Sequence, residues 1–111
     1  MYAQLTYFDG PRTPEQLAAA DFAGQERILP ALSKLGHPFR AYRLRRDDGS
    51  EIVMWIADSK QALLDAQKAI MSTELLPGED PALLPGADRI ELYPVIGVHD
   101  VNPASQTRSQ P

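Results

Sequence analysis

Residues 51–57 read Glu-Ile-Val-Met-Trp-Ile-Ala, a run that is apolar on both sides of an extended chain. Side chains alternate across a strand, so Ile52, Met54 and Ile56 point one way and Val53, Trp55 and Ala57 the other. A small α+β domain with two helices covers one face of its sheet. The second face then needs another copy of the chain, a ligand, or both, which makes a dimer the first expectation.

Outward from this strand the pattern is regular. Upstream, Phe39 to about Arg46 reads as a strand that turns at Asp47-Asp48-Gly49, a hairpin signal. Downstream, Asp58 or Ser59 caps a helix whose inner side carries Leu63, Ala66, Ile70 and Met71. Residues 2–8 alternate as a first strand and stop at Asp9-Gly10-Pro11. Thr13 with Gln16 has capping-box spacing and Pro14 suits a first helical turn. The helix so begun shows a stripe through Leu17, Ala20, Gly24, Ile28, Ala31, Leu32 and Leu35. Pro30 removes a hydrogen bond to the carbonyl of Glu26, so a kink is expected at 26–30. Gly36 and Pro38 end the helix.

Leu75 to Asp88, with its near-repeat Leu-Leu-Pro-Gly-Glu-Asp and Leu-Leu-Pro-Gly-Ala-Asp, reads as a long loop. Its four leucines are expected to pack as a clasp on helix ends or a neighbouring subunit, or as a pocket lid. A last strand is expected from Arg89 to Val98. The domain is placed at residues 1–99, followed by a mobile tail at 100–111 without apolar anchors. The order β-α-β-β-α-β is the ferredoxin-like arrangement, an α+β fold with a four-stranded antiparallel sheet and both helices on one face.

Composition narrows the functions. At 111 residues the chain is one domain, and burial of about two-thirds of its unfolded surface gives a modest core. Its formal net charge of −4 argues against nucleic acid as a partner. RNA binding by the sheet would also need an exposed aromatic pattern that is missing. The absence of cysteine excludes disulfides, thiolate nucleophiles and Cys-ligated zinc. Neither a signal peptide nor a membrane span is visible, and a cytoplasmic location with no membrane partner is the expectation.

The chain resembles the dimeric α+β barrel superfamily, which includes antibiotic-biosynthesis-monooxygenase-like domains. The likeness covers residues 1–99 and rests on three segments beside element order. They are Glu-Arg-Ile-Leu-Pro-Ala-Leu at 26–32, Gly-His-Pro-Phe at 36–39 and Asp-Ser-Lys-Gln-Ala-Leu at 58–63. Residues 70–81, Ile-Met-Ser-Thr-Glu-Leu-Leu-Pro-Gly-Glu-Asp-Pro, also resemble a group of uncharacterised small actinobacterial proteins. The resemblance implies a homodimer packed sheet against sheet. Many members place Trp two residues before the helix-capping Ser. Ala57 stands there in this chain, with Trp55 two residues earlier. Members that bind haem often use a His on the second helix. Ala66 and Gln67 occupy that neighbourhood, so no haem or other cofactor is expected.

The ligand-binding candidates are Trp55, Tyr42, Arg40, Tyr7 and His37. Trp55 either lines a pocket between sheet and helices or fills the core. Arg40 or Arg43 could grip a carboxylate, although Arg40, Arg43, Arg45 and Arg46 also read as solvated charges paired with Asp47, Asp48 or Glu51. Strand parity divides the four arginines two and two. Tyr7, Tyr42 or Tyr93 could hydrogen-bond a phenolic substrate, or merely keep a wet hydroxyl. His37 follows a helix C-terminus that favours its cation, and His99 with Asp100 could pair as base and orienting acid. No complete catalytic or metal-binding set appears, and whether the protein is an enzyme is left open. Two functions fit: a homodimer that binds a small molecule between sheet and helices or serves as an assembly module, and a cofactor-independent monooxygenase-like enzyme on an aromatic polyketide-like substrate.

Overall fold

A computed structural model describes residues 1–103. The element order is β1 (Tyr2–Phe8), α1 (Pro14–Ala23), a π-helical turn (Gly24–Ile28), α2 (Leu29–Ser33), β2 (Phe39–Arg45), β3 (Glu51–Ala57), α3 (Lys60–Met71) and β4 (Arg89–Pro94). The strands form one antiparallel sheet in the order β2-β3-β1-β4. This is the ferredoxin-like α+β fold. Two right-handed crossovers, one through α1–α2 and one through α3, deliver both helical stretches to the same face.

The register sorts the side chains into two faces. The row Gln4, Trp55, Leu92 and the row Tyr2, Ala57, Phe39 lie toward the helices. There Ala57, Ala62 and Leu63 form the buried centre, with Tyr2, Phe39, Trp55 and Leu92 packed against it. The opposite face carries Leu5, Met54, Tyr42 and Glu91 in one row, with Ile52 and Ile56 on either side of Met54. No described helix lies on it.

Local chemistry explains where the elements start and stop. Thr13 accepts from Gln16 N–H while the Gln16 side chain accepts from Thr13 N–H, closing the expected capping box. Ser59, rather than Asp58, caps α3 by accepting from Ala62 N–H. The kink expected near Pro30 takes the form of the π-helical turn. Leu29 N–H reaches back five residues to the Gly24 carbonyl. That widened turn lets Pro30, which has no N–H, begin α2 without driving its ring into the preceding carbonyls.

Three expectations need correction. Met71 is 75% exposed, not inward; the buried side of α3 runs through Ala62, Leu63 and Ala66, with Ile70 half-buried. The final strand ends at Pro94 rather than Val98, because its pairing with β1 runs out there, the last bond joining Val95 N–H to the Met1 carbonyl. The β2 strand stops at Arg45. In the 75–88 loop a short 3₁₀ turn at Pro81–Leu83 stands beside α1, with Leu76, Leu83 and Leu84 half-buried and Leu75 exposed. Of the expected tail, 100–103 carry no regular structure, and residues 104–111 lie outside the described residues.

The hairpin turn is clamped to the chain entering α1. Arg12 N–H donates to the Asp48 carbonyl at 2.9 Å, and Arg12 Nε donates to the Gly49 carbonyl at 2.8 Å. Gly49 has φ +89°, and a Cβ there would stand 2.8 Å from the Arg12 carbonyl oxygen. Gly78 has a similar φ of +91° with open space around it. Replacing Gly78 by Ala should therefore cost only the left-handed strain, about 1 kcal/mol. Replacing Gly49 by Ala adds a backbone displacement worth about 1–3 kcal/mol more. Chemical denaturation of the two variants checks this, and equal losses would contradict the clamp.

Candidate functional site

The central row of the helix-side face leads into a small cavity. Gln4, Trp55 and Phe39 form its floor, and Leu32, Leu63 and Gln67 form its roof. Its volume is about 10 Å3, room for one water molecule. Gln4 is buried, and its Nε2 donates to Thr6 Oγ1 and to Gln67 Oε1, both at a long 3.4 Å. Two carboxamides therefore meet in an apolar setting with hydrogen bonds stretched to the limit of the interaction. Strand parity marks Gln4 as a polar residue in the middle of the buried face. That was the available signal for it.

A second polar centre lies toward the hairpin end of the same face. The Glu51 side chain is only 3% exposed and receives three guanidinium groups. Arg12 Nη2 donates to Oε1 at 2.8 Å, Arg43 Nε to Oε2 at 2.8 Å, and Arg45 Nε to Oε1 at 2.8 Å. Arg43 and Arg45 also donate to Asp21 Oδ1 from α1. Burial pushes the Glu51 carboxyl up, but the hydrogen bonds from Arg43 and Arg45 outweigh it and hold the group below the ordinary glutamate range. The same two arginines depress Asp21 against the upward push of its own burial. Each of the three guanidinium groups already donates to Glu51 or Asp21, so this centre is a structural clamp tying α1, β2 and β3 together. It is not a vacant anion site.

A wider concavity is a groove of about 540 Å3 between α1 and the 75–88 loop. Ala18, Ala19 and Phe22 supply one wall; Pro77, Leu83 and Leu84 supply the other. A second buried ion pair fixes its width. Arg27, presented by the π-helical turn, donates through Nε to Glu79 Oε2 at 2.9 Å and through Nη1 to Thr73 Oγ1 at 2.7 Å. Glu79 also accepts from Leu76 N–H at 2.7 Å. These contacts hold its carboxyl below the usual range, the Arg27 hydrogen bond contributing most. Periodicity gives no sign that Phe22 and Arg27 meet the loop, because these contacts join segments far apart in sequence, Arg27 reaching Glu79 across 52 residues.

The candidates read from the sequence do not gather at one place. Trp55 faces the helices beside Gln4, whereas Arg40 and Tyr42 stand on the opposite face of β2. Arg40 Nη1 reaches the Tyr42 hydroxyl at 3.5 Å. Tyr7 shares that open face at the far end of the sheet, with the Arg89 guanidinium 3.8 Å above its ring. A hydrogen bond to Glu91 is the main influence raising the Tyr7 hydroxyl pKa. His37 is exposed before β2 and meets Phe39 edge-on with ring centroids 6.3 Å apart. Arg43 and Arg45 pair with Glu51 as expected, but their second carboxylate is Asp21, not Asp47 or Asp48. His99 is exposed. Among the described residues no group of three His, Asp or Glu side chains could hold a metal ion. Among the described residues no helix is long and apolar enough to cross a membrane.

No family model and no curated protein matches the sequence. Among solved structures, the chain is similar to an uncharacterized NIPSNAP domain protein from Burkholderia xenovorans, with a TM-score of 0.54 and 13% identity. The match covers 90% of this chain and 100% of that one. At that identity the likeness is one of fold.

The clamp makes two outcomes measurable. Replacing Glu51 with Gln strands the nearly buried Arg12 guanidinium and should destabilise the fold by about 3 kcal/mol. The depressed carboxyls of Glu51, Asp21 and Glu79 contribute stability that is complete above their unfolded pKa values and is lost as pH falls through the lower folded ones. The melting temperature should then hold from neutral pH to about 5 and drop below about 4. The Gln variant should drop less steeply, and an unchanged acid slope would contradict the clamp.

Proposed function

We propose that the protein is a homodimeric α+β barrel module assembled sheet against sheet. One observation supports this above all others: the open face has an apolar centre of Leu5, Ile52, Met54 and Ile56, and none of the described helices lies over it. Exposed Tyr42, Leu44 and Tyr93 extend the apolar area to both sheet edges. Monomeric proteins rarely leave patches of that extent in water. The polar groups on the face sit at its margins, Arg40 on β2 and Glu91 on β4, as expected for a rim around an apolar centre.

A second reading is that the helix-side cleft takes a small molecule, and Gln4 with Gln67 favours it. A buried carboxamide pair with stretched hydrogen bonds contributes little to stability, whereas it offers both donors and acceptors to a polar ligand group. The cleft must open to admit more than a water. Monooxygenase-like chemistry that places Trp55, Tyr42 and Arg40 around one substrate finds no support within a single chain, because those residues lie on opposite faces.

Met54→Asp puts a charge at the centre of the open face without touching the core beneath the helices. It should halve the mass found by size-exclusion chromatography with light scattering while leaving the far-ultraviolet circular dichroism unchanged. A variant that stays dimeric would refute the sheet-to-sheet assembly. Gln4→Met should raise stability by about 1 kcal/mol, since it replaces a poorly satisfied amide with an apolar side chain of similar size. A clear loss would make Gln4 structural and remove the support for the cleft as a binding site.

A further inference from the structure

The chain does not end its ordered course with the sheet. Val95 N–H donates to the Met1 carbonyl at 2.9 Å, the last rung between β4 and β1. Beyond it the segment Ile96-Gly97-Val98-His99-Asp100-Val101 runs clear of the domain. Ile96 is 99% exposed, Val98 69% and Val101 89%. β-branched side chains so close together are the composition of a strand that pairs with something, not of a solvated linker. We propose that this arm, Val95–Val101, is exchanged between copies and docks over the start of β2 in the second copy, from His37 to Tyr42.

The proposal rests on the face-to-face dimer and adds its geometry. Two copies can stack with the twofold axis along the strands or across them. An axis across the strands sets β4 over β4 and brings Glu91 toward its own duplicate. An axis along them sets β4 of one copy over β2 of the other, with Glu91 toward the Tyr42 hydroxyl and Tyr93 toward Arg40. Charge complementarity selects the second, because like charges brought together oppose association.

That axis keeps equal ends of the two sheets together. Pro94 and Phe39 share one row with Tyr2 and Ala57, so the arm leaves its own sheet where the partner's β2 begins. Lys34, His37 and Arg40 are exposed there and, among the described residues, form no ion pair; Asp100 on the arm supplies the opposite charge. The twelve side-chain positions of the open face and the seven arm residues together approach the roughly 20–30 residues a side of a standard stable interface.

The chain has no cysteine, so single introduced thiols report cleanly. Chains carrying only Val98→Cys, mixed with chains carrying only His37→Cys, can form a Val98→Cys to His37→Cys disulfide only between copies. Mild oxidation should link most of that mixture and little of a control mixture of Val98→Cys with Asp47→Cys at the other end of β2. The double variant Ile96→Asp/Val98→Asp should weaken the dimer at least tenfold with circular dichroism unchanged. These residues are solvent-exposed in the single chain, so the substitutions leave its fold intact. If the wild type is dimeric but both mixtures cross-link equally and the double variant dimerises normally, the arm proposal fails alone. If the wild type is monomeric, the dimer reading fails and takes the arm with it.

Discussion

The constraint on which this molecule turns is a four-stranded sheet that is apolar on both faces, with helices available for one. Right-handed crossovers from β1 to β2 and from β3 to β4 commit α1–α2 and α3 to the same side. No rearrangement of a chain this short can bring either helix across. The face that no described helix covers is therefore a property of topology, and its apolar centre at Met54 is what the proposed sheet-to-sheet assembly rests on.

Two ion clusters, each centred on a buried glutamate, hold the covered side in place. Glu51 gathers Arg12, Arg43 and Arg45 and so joins the hairpin to the chain before α1, while Asp21 extends the tie to α1 itself. Arg27 and Glu79 perform the same service between the helical stretch and the long loop. Each cluster compensates its own desolvation through bidentate guanidinium contacts. The hydrophobic centre at Ala57, Ala62 and Leu63 is small, so this polar framework carries much of the positional information. It takes up Arg12, Arg27, Arg43 and Arg45, which are then not free to bind an anion. Among the described residues Arg40, Arg46 and Arg89 remain outside it, Arg89 pairing instead with Asp9.

Most of the fold was legible from residues close together in sequence. The alternation around Trp55, the capping residues Thr13 and Ser59, and the stops at Gly36 and Gly49 all act through local backbone chemistry. The π-helical turn was legible only as a disturbance at Pro30, because its register depends on how Arg27 meets the loop across the helix surface. The site was far less legible. Strand parity separated Trp55 from Tyr42 only once β2 had been set in register with β3, and Gln4 acquired interest only when Gln67 arrived opposite it. Trp55 consequently changes character. It is an aromatic packed against the core beside a carboxamide pair.

Sedimentation equilibrium of the wild-type chain at micromolar to tens-of-micromolar concentration tests the sheet-to-sheet assembly most directly. The covered open face predicts a single species of twice 12.3 kDa across that range. A mass of 12.3 kDa at the highest concentration would contradict it.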